Sequence, residues 1–236
     1  MDSRRDKPLP SVLCWTWQGR LLVFVLSASS IWCLLADLYN LCSMQIFTVA
    51  ILLPATAAML AVALVDRSKG DGQLWRAAVV GAASGLIAAV AYDVFRLPFV
   101  FAHQLQISSI VPPLDLFKVF PRFGAMIFGQ PIEQEVYPLI TQLVGWAYHF
   151  SNGLTFGVMY MAMIGDSGRR SWLWAILLAT GLEMAMLLTP YPRFFAIPVT
   201  AAFVVATFAA HFVFGIALGR AAKRLAPATS QLVPAA

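Results

Sequence analysis

The chain alternates between long apolar stretches and short polar links, which is the pattern of a polytopic membrane protein. Six of these stretches are long enough for a helix to cross a bilayer, because a helix rises about 1.5 Å per residue through a core roughly 30 Å thick. They cover residues 21–41, 46–65, 77–102, 137–164, 172–189 and 199–219. The pattern therefore predicts an all-α bundle of six transmembrane helices, arranged as three helical hairpins.

The remaining segments complete this division of the chain. Residues 1–20 form a polar leader, 21–219 the transmembrane domain, and 220–236 a tail without regular structure. The longest connection, 103–136, is too apolar for a solvated loop, and its apolar part, 116–128, is too short to span. This connection is expected to lie at the membrane interface or to re-enter the bilayer as a lid.

Composition supports the membrane class and excludes two others. Hydrophobic residues make up 60% of the 236 residues and charged residues only 11%, which excludes an ordinary soluble domain. The net charge of +5 would suit a nucleic-acid partner, but the basic residues occur in short clusters between apolar runs. The three cysteines lack metal-binding spacing and predict packing residues rather than disulfides. We therefore expect membrane lipid, and no nucleic acid, as a partner.

The basic clusters also predict an orientation, because lysine and arginine accumulate on the cytoplasmic side. With both termini cytoplasmic, twelve basic residues are inside and three outside, and Arg96 lies near the outer end of span three. The inside set is Arg4, Arg5, Lys7, Arg20, Arg67, Lys69, Arg76, Arg169, Arg170, Arg220, Lys223 and Arg224, and the outside set is Lys118, Arg122 and Arg193. Twelve arginines against four lysines, with abundant alanine, favour a GC-rich bacterial genome and hence a bacterial inner membrane.

Four ionisable residues lie at membrane depth in the predicted spans. His149 and His211 are each twelve residues from the outer start of their spans, which places both about 18 Å deep, near the midplane. Asp93 and Glu183 fall nearer the outer face, one or two turns beyond the histidines. Such residues are costly in hydrocarbon and usually face the interior of a bundle, so these four are expected to gather at one site.

The two histidines begin the same motif. The pattern His-Phe-x-x-Gly-x-x-x-Gly occupies residues 149–157 and 211–219, on helices that run from outside to inside. Each motif follows an outward helix that carries one acid, Asp93 or Glu183. We interpret spans three–four and five–six as a degenerate parallel repeat, with spans one–two as a third copy that lacks the histidine. Chance is the alternative explanation, because phenylalanine and glycine are frequent in membrane helices.

Imidazole and carboxylate groups together suit a zinc or iron ion, and ligands from several helices are normal in bundles. The suggested metal ligands are His149, His211 and Glu183. Asp93 would serve as a fourth ligand or as a hydrogen-bond partner of one, and these four residues are the candidate catalytic groups. A water activated there would attack a lipid ester or amide, which predicts a membrane-embedded, metal-dependent hydrolase. Asn152, one turn from His149, is a candidate for fixing its tautomer.

The sequence leaves two other functions open. Acids near the outer face followed by midplane histidines are also typical of a proton or cation path in a small transporter or channel. Against a path, the inner halves of the spans contain no ionisable residue that would continue it. In a purely structural protein, Asp93 and Arg96 at i and i+3 would neutralise each other, and the histidines would only pack. Small-residue faces such as Gly81-xxx-Gly85 also suit homo-oligomer contacts.

Overall fold

The computed structural model describes residue 10 and residues 13–165 and 167–226. Helices make up 73% of the structure, and no strand occurs in these ranges. The predicted all-α class is therefore confirmed. Most of the predicted leader and the last ten residues of the predicted tail lie outside the described residues.

Nine α-helices follow one another along the described chain, with one π-helical turn between the second and third. They are α1 (Trp17–Leu38), α2 (Met44–Phe47), the π turn (Thr48–Leu52), α3 (Leu53–Lys69), α4 (Gln73–Val100), α5 (Val119–Ile127), α6 (Leu139–Ile164), α7 (Leu173–Leu188), α8 (Tyr191–Phe194) and α9 (Ala201–Leu225). The π turn precedes Pro54, which cannot donate the backbone hydrogen bond to Ala50 that an α-helix requires. The segment from α2 to α3 is thus one continuous helix with a local change of winding.

Four helical segments are, by length and composition, able to cross a membrane: α1, Met44–Lys69, α4 and α9. The helix α7 is apolar but has only 16 residues. The helix α6 has 26 residues but is not among these four segments. All six stretches predicted from the sequence are helical. Their ends differ by up to six residues, partly because Thr16 caps α1 early and accepts a hydrogen bond from the amide of Gly19.

The helix α4 occupies the centre of the bundle. It packs against α6 on one side and α9 on another, whereas α6 and α9 barely touch each other. Beyond these three, α7 packs on α9, α1 packs on α6, and α3 packs on both α1 and α4. The space between α6 and α9 is therefore a groove with α4 as its floor.

Glycines set the close approach of α4 to α6. A Cβ on Gly85 would collide with the carbonyl oxygen of Gly153, and a Cβ on Gly157 would collide with that of Gly81. Helices without side chains at these points can bring their backbones together and gain van der Waals contact. The small-residue faces predicted on spans three and four thus pack against each other within one chain.

The helix α5 fills one end of the bundle. Seven of its nine residues are buried, and Gly124 of α5 and Gly145 of α6 each meet the backbone of the other helix. Arg122 of α5 donates a hydrogen bond of 2.6 Å to the carbonyl oxygen of Phe195, in the connection before α9. The apolar segment 116–128, expected at the interface or as a lid, therefore contains a short helix buried against α6.

Basic residues collect at the opposite end of the bundle. Arg20 of α1 donates hydrogen bonds to the last-turn carbonyls of α6, at 2.8 Å to Ala162 and 2.5 Å to Met163. Arg220 of α9 lies over the ring of Trp172, just before α7. The start of α1, the end of α6, the start of α7 and the end of α9 therefore meet at this end, which we call the basic end.

Candidate functional site

The first part of the site is an acid–histidine pair between α4 and α6. Nε2 of His149 lies 2.9 Å from Oδ2 of Asp93, while Oδ1 of Asp93 lies 3.3 Å from the guanidinium of Arg96. Because the carboxylate accepts, Nε2 is the nitrogen that donates. Asp93 therefore orients His149 and balances Arg96, the residue that its i,i+3 spacing predicted as a partner.

The second pair joins α7 and α9. Oε2 of Glu183 lies 3.1 Å from Nδ1 of His211, and the same nitrogen lies 3.0 Å from the carbonyl oxygen of Thr207. A carbonyl only accepts, so Nδ1 carries a proton and directs it to Thr207. Glu183 is fully buried, and neither of its oxygens has a hydrogen-bond partner within the described residues. A buried carboxyl left in this state is costly and is typical of a functional site.

The two pairs have the same construction. Each histidine is the tenth residue after the first residue of its helix, Leu139 in α6 and Ala201 in α9. Four and eight residues after each histidine comes a glycine that faces the acid-bearing helix. Gly153 and Gly157 face α4, and the corresponding glycines of α9 face α7. The two imidazoles therefore have equivalent settings, because each histidine has the same position in its helix and the same spacing to its two glycines.

Glu183 and His211 meet although residue counting places them at different depths. Counting residues along the spans places the acids one or two turns away from the histidines. Helical side chains, however, point toward the N-terminus of their own helix. Because α4 and α7 run antiparallel to α6 and α9, the acids lean toward the histidines and the histidines lean toward the acids. This convergence brings Glu183 to within 3.1 Å of His211.

Tyr92 of α4 lies between the two imidazoles. Its ring centroid is 4.9 Å from that of His211 and 6.1 Å from that of His149. The guanidinium of Arg96 lies 4.7 Å from the same ring. His149 also stacks on Phe120 of α5, with 4.1 Å between ring centroids. The two acid–histidine pairs thus belong to one cluster built around aromatic rings.

A cavity of about 690 Å³ occupies the groove between α6 and α9. Its wall includes His149 and His211 but neither Asp93 nor Glu183. Each imidazole therefore faces the cavity with its acid behind it. In this order Asp93 fixes the orientation of His149 and the Thr207 carbonyl fixes that of His211, while each imidazole faces a bound molecule. The volume falls within the roughly 300–1,000 Å³ of typical small-molecule sites.

The cavity extends toward only one end of the bundle. Toward the basic end, the cavity stops at Phe156 of α6 and Phe214 of α9, before it reaches the close contact between Gly157 and Gly81. In the other direction it reaches His103, Gln104 and Lys118, in the connection between α4 and α5. The site therefore communicates with the end that carries α5 and α8.

No protein-family model, curated protein or solved structure matches the chain. The chemistry of the site must therefore be argued from its own geometry.

The predicted metal ligands are arranged in pairs rather than as a set of three. In the described part of the chain, no group of three His, Cys, Asp or Glu side chains could hold a metal ion. His149 is engaged by Asp93, His211 by Glu183, and Tyr92 lies between the imidazoles. Coordination of zinc or iron by His149, His211 and Glu183 stays a prediction, and this arrangement does not support it.

Asn152 lines the cavity one turn from His149. Its side-chain oxygen is buried and has no hydrogen-bond partner among the residues that the structure describes. Asp93, and not Asn152, accepts the hydrogen bond that orients His149. Asn152 therefore offers a polar group to the cavity, which is a different role from the predicted one.

Two residues of the cavity wall were missed by sequence reasoning. Arg122 was counted only as an outer basic residue, yet it is 5% exposed and lines the cavity. The signal was its position between Phe120 and Phe123 in an apolar segment, where a solvated arginine is not expected. Tyr92 was passed over because aromatic residues are ordinary in membrane helices, although it directly precedes Asp93.

Tyr191 of α8 also lines the cavity and is buried. Burial raises the pKa of its phenol well above the usual range, and nearby Tyr92 and Glu183 raise it further. Arg96 and Arg122 oppose this rise. Tyr191 is therefore a neutral hydroxyl near neutral pH, able to donate a hydrogen bond to a ligand.

Proposed function

We propose that the chain is a bacterial inner-membrane protein with six spans, α6 and α7 being added to the four most apolar segments. The basic end is then cytoplasmic, as are both termini, and segment 103–136 faces the outer side. The matched acid–histidine pairs support the interpretation of α4–α6 and α7–α9 as repeated units.

Within this bundle we infer a hydrolase that acts on an ester of a lipid. The observation that carries this proposal is the presence of two histidines, each with an acid behind it, in the wall of one largely apolar cavity. Histidine is the commonest general acid or base near neutral pH, and a carboxylate behind it fixes its orientation. The apolar wall would accept a hydrocarbon chain and keep excess water from the reaction.

The two imidazoles suit the two proton transfers of ester hydrolysis. One imidazole accepts a proton from water while the water oxygen attacks the carbonyl carbon or the phosphorus. The other donates a proton to the departing alcohol oxygen as its bond to that centre breaks. The ester and one water yield an acid and an alcohol, and a proton returns between the histidines to reset them. Tyr92 lies close to both imidazoles, with its ring centroid 6.1 Å from that of His149 and 4.9 Å from that of His211.

A proton or cation path is less well supported. Such a path needs polar groups that continue across the bundle, whereas the cavity stops at Phe156 and Phe214. A purely structural role gives no reason to keep the buried carboxyl of Glu183, which has no hydrogen bond within the described residues. These features favour chemistry at a one-sided pocket.

The proposal is tested by lipid turnover. Purified protein is reconstituted into vesicles of bacterial polar lipids, and the lipids are followed by mass spectrometry. We expect hydrolysis products with the wild type and none with His149→Ala or His211→Ala. Phe212→Ala, which removes a neighbouring side chain that is 48% exposed, is the control and should keep wild-type turnover. Identical lipid profiles for wild type and both histidine variants would contradict the hydrolase. If vesicles with the wild type lose an imposed pH gradient and vesicles with the histidine variants keep it, a transporter would be favoured.

A further inference from the structure

Two arginines are buried in the wall of the cavity. Arg96 of α4 is 4% exposed and Arg122 of α5 is 5% exposed, and both line the cavity. Arginine is almost never fully buried unless it is paired, because removing its charge from water is costly. Two such residues in one wall therefore require a physical reason.

Backbone carbonyls hold both guanidinium groups in place. Arg96 donates to the carbonyl oxygen of Leu116, and Arg122 donates to that of Phe195. Carbonyl acceptors fix the position of a guanidinium but do not neutralise it. The Nε atoms of both arginines are buried and have no hydrogen-bond partner in the described ranges. Each side chain is thus rigid and keeps an unused donor.

The two charges are balanced unequally. Arg96 is paired with Asp93, which is itself buried. The carboxylate partner of Arg122 is Glu133, at 3.1 Å, and the Glu133 side chain is 74% exposed. Because Glu133 is largely in solvent, its charge is screened and compensates Arg122 only weakly. The cavity wall therefore has a surplus of positive charge near Arg122.

The rest of the wall is suited to a hydrocarbon chain. Apolar side chains from α1, α4, α5, α6, α7 and α9 line it, among them Leu34, Leu35, Phe123, Met186 and Phe203. A ligand that satisfies both parts of the wall has an anionic head and an apolar tail. A guanidinium matches the paired oxygens of phosphate or carboxylate, and such charge-assisted bonds are about twice as strong as neutral ones.

We propose that the cavity binds an anionic single-chain amphiphile, with its phosphate or carboxylate head at Arg122 and Arg96 and its tail against the apolar wall. This inference rests on the proposed function and names the substrate class of that site. The head then lies beside the imidazoles of His149 and His211, which line the same cavity. Tyr191 and Asn152 supply further polar groups for it.

Binding is measured on full-length protein in nanodiscs of zwitterionic lipid, by titration with dodecyl phosphate, dodecanoate, dodecanol and inorganic phosphate. We expect the anionic amphiphiles to bind at least about tenfold more tightly than dodecanol, and inorganic phosphate to bind far more weakly than dodecyl phosphate. This comparison needs no variant, so it does not depend on the folding of a mutant. Equal affinity for dodecanol and dodecyl phosphate would overturn the proposal. Equal affinity for inorganic phosphate would assign the site to a free anion instead.

Variants locate the head group. Arg122→Gln should weaken dodecyl phosphate binding by about tenfold or more, and Arg122→Lys by less. Arg193→Gln, an exposed arginine on α8 at the same end, is the matched control and should bind as the wild type does. Glu133→Gln should bind at least as tightly as the wild type, since it removes the competing carboxylate. Equal losses for Arg193→Gln and Arg122→Gln would show general surface attraction and reject the site.

The two proposals can fail separately. His149→Ala should lose lipid hydrolysis and still bind dodecyl phosphate more tightly than dodecanol. Hydrolysis without preference for anionic amphiphiles would reject the anionic head and keep the hydrolase. Preference for them without hydrolysis of any lipid would reject the hydrolase and keep the binding site.

Discussion

Glu183 and His211 lie 3.1 Å apart, yet no hydrogen bond joins them, because the proton on Nδ1 of His211 is directed at the carbonyl oxygen of Thr207. The carboxyl has lost its hydration without gaining a partner in the described part of the protein. Proteins keep such unfavourable groups mainly where function needs them, and their removal often raises stability. We therefore expect a substitution of Glu183 to lower activity without lowering stability.

Glu183→Gln keeps the shape of the side chain and removes its ionisable group. We expect the free energy of unfolding in detergent to be unchanged or raised by about 1 kcal/mol. We also expect lipid turnover to fall by about 10²-fold or more, since a carboxylate 3.1 Å from Nδ1 stabilises the protonated form of His211 that proton transfer requires. Glu135→Gln, at an exposed glutamate, is the control and should change neither quantity. A stability loss above about 2 kcal/mol would make Glu183 a structural partner instead.

Asp93 and Arg96 should behave in the opposite way, because each is the charge partner of the other. Arg96→Gln leaves the Asp93 carboxylate buried beside His149 alone, and we expect a loss of about 3–5 kcal/mol. The double variant Asp93→Asn/Arg96→Gln should cost less than the sum of the single changes, with a coupling of about 1–3 kcal/mol. Chemical unfolding of the four proteins in detergent measures this cycle. Strictly additive losses would show that the two charges do not stabilise each other.

The sequence predicted the parts of the fold that depend on periodic burial. The all-α class, the helical stretches and the equivalent positions of His149 and His211 in their helices all follow from runs of apolar residues. Pairing of Asp93 with Arg96 followed from the spacing of residues on one helix. Such local regularities need no knowledge of how helices approach each other.

What the sequence could not predict depends on the direction of side chains between helices. The direct contact of Glu183 with His211 could not be predicted from depth, because residue counting locates Cα atoms, while contacts are made by side-chain ends. Arg122 was counted only as an outer basic residue of the connection 103–136, because its burial depends on α5 folding back against α6. Tyr92 could not be located between the histidines until α4 was known to contact both α6 and α9. Tertiary packing decides all three.

The glycine contacts between α4 and α6 give a stability test with an internal control. Gly157→Ala places a Cβ against the carbonyl oxygen of Gly81, so we expect a loss of about 1–3 kcal/mol. Gly181→Ala, in α7, meets nothing within 4 Å and should raise stability by about 0.5–1 kcal/mol through helix propensity. Unfolding of both variants in the same detergent provides the comparison. Equal effects would contradict the close approach of α4 and α6.

Metal analysis separates the paired arrangement from the predicted metal site. A zinc or iron ion held by His149, His211 and Glu183 predicts stoichiometric metal that is lost in His149→Ala. The separate acid–histidine pairs predict instead that the metal content of purified protein is the same in the wild type and in His149→Ala. Elemental analysis after gel filtration without chelator measures it. A stoichiometric ion that disappears only in the histidine variants would restore the metal-dependent mechanism.

The number of spans depends on the link between α6 and α7. Six spans place this link on the cytoplasmic side, because α6 then crosses inward and α7 outward. If only the four most apolar segments crossed, the whole region from α4 to α9 would stay outside. Reporter fusions at Gly168, in the link, therefore distinguish the two arrangements, whereas the C-terminus is cytoplasmic in both. We expect cytoplasmic signals at Gly70 and Gly168 and an outer signal at Gln130, since arginine and lysine cluster at the basic end. An outer signal at Gly168 would reduce the spans to four, and an outer signal at Gly70 would reverse the orientation.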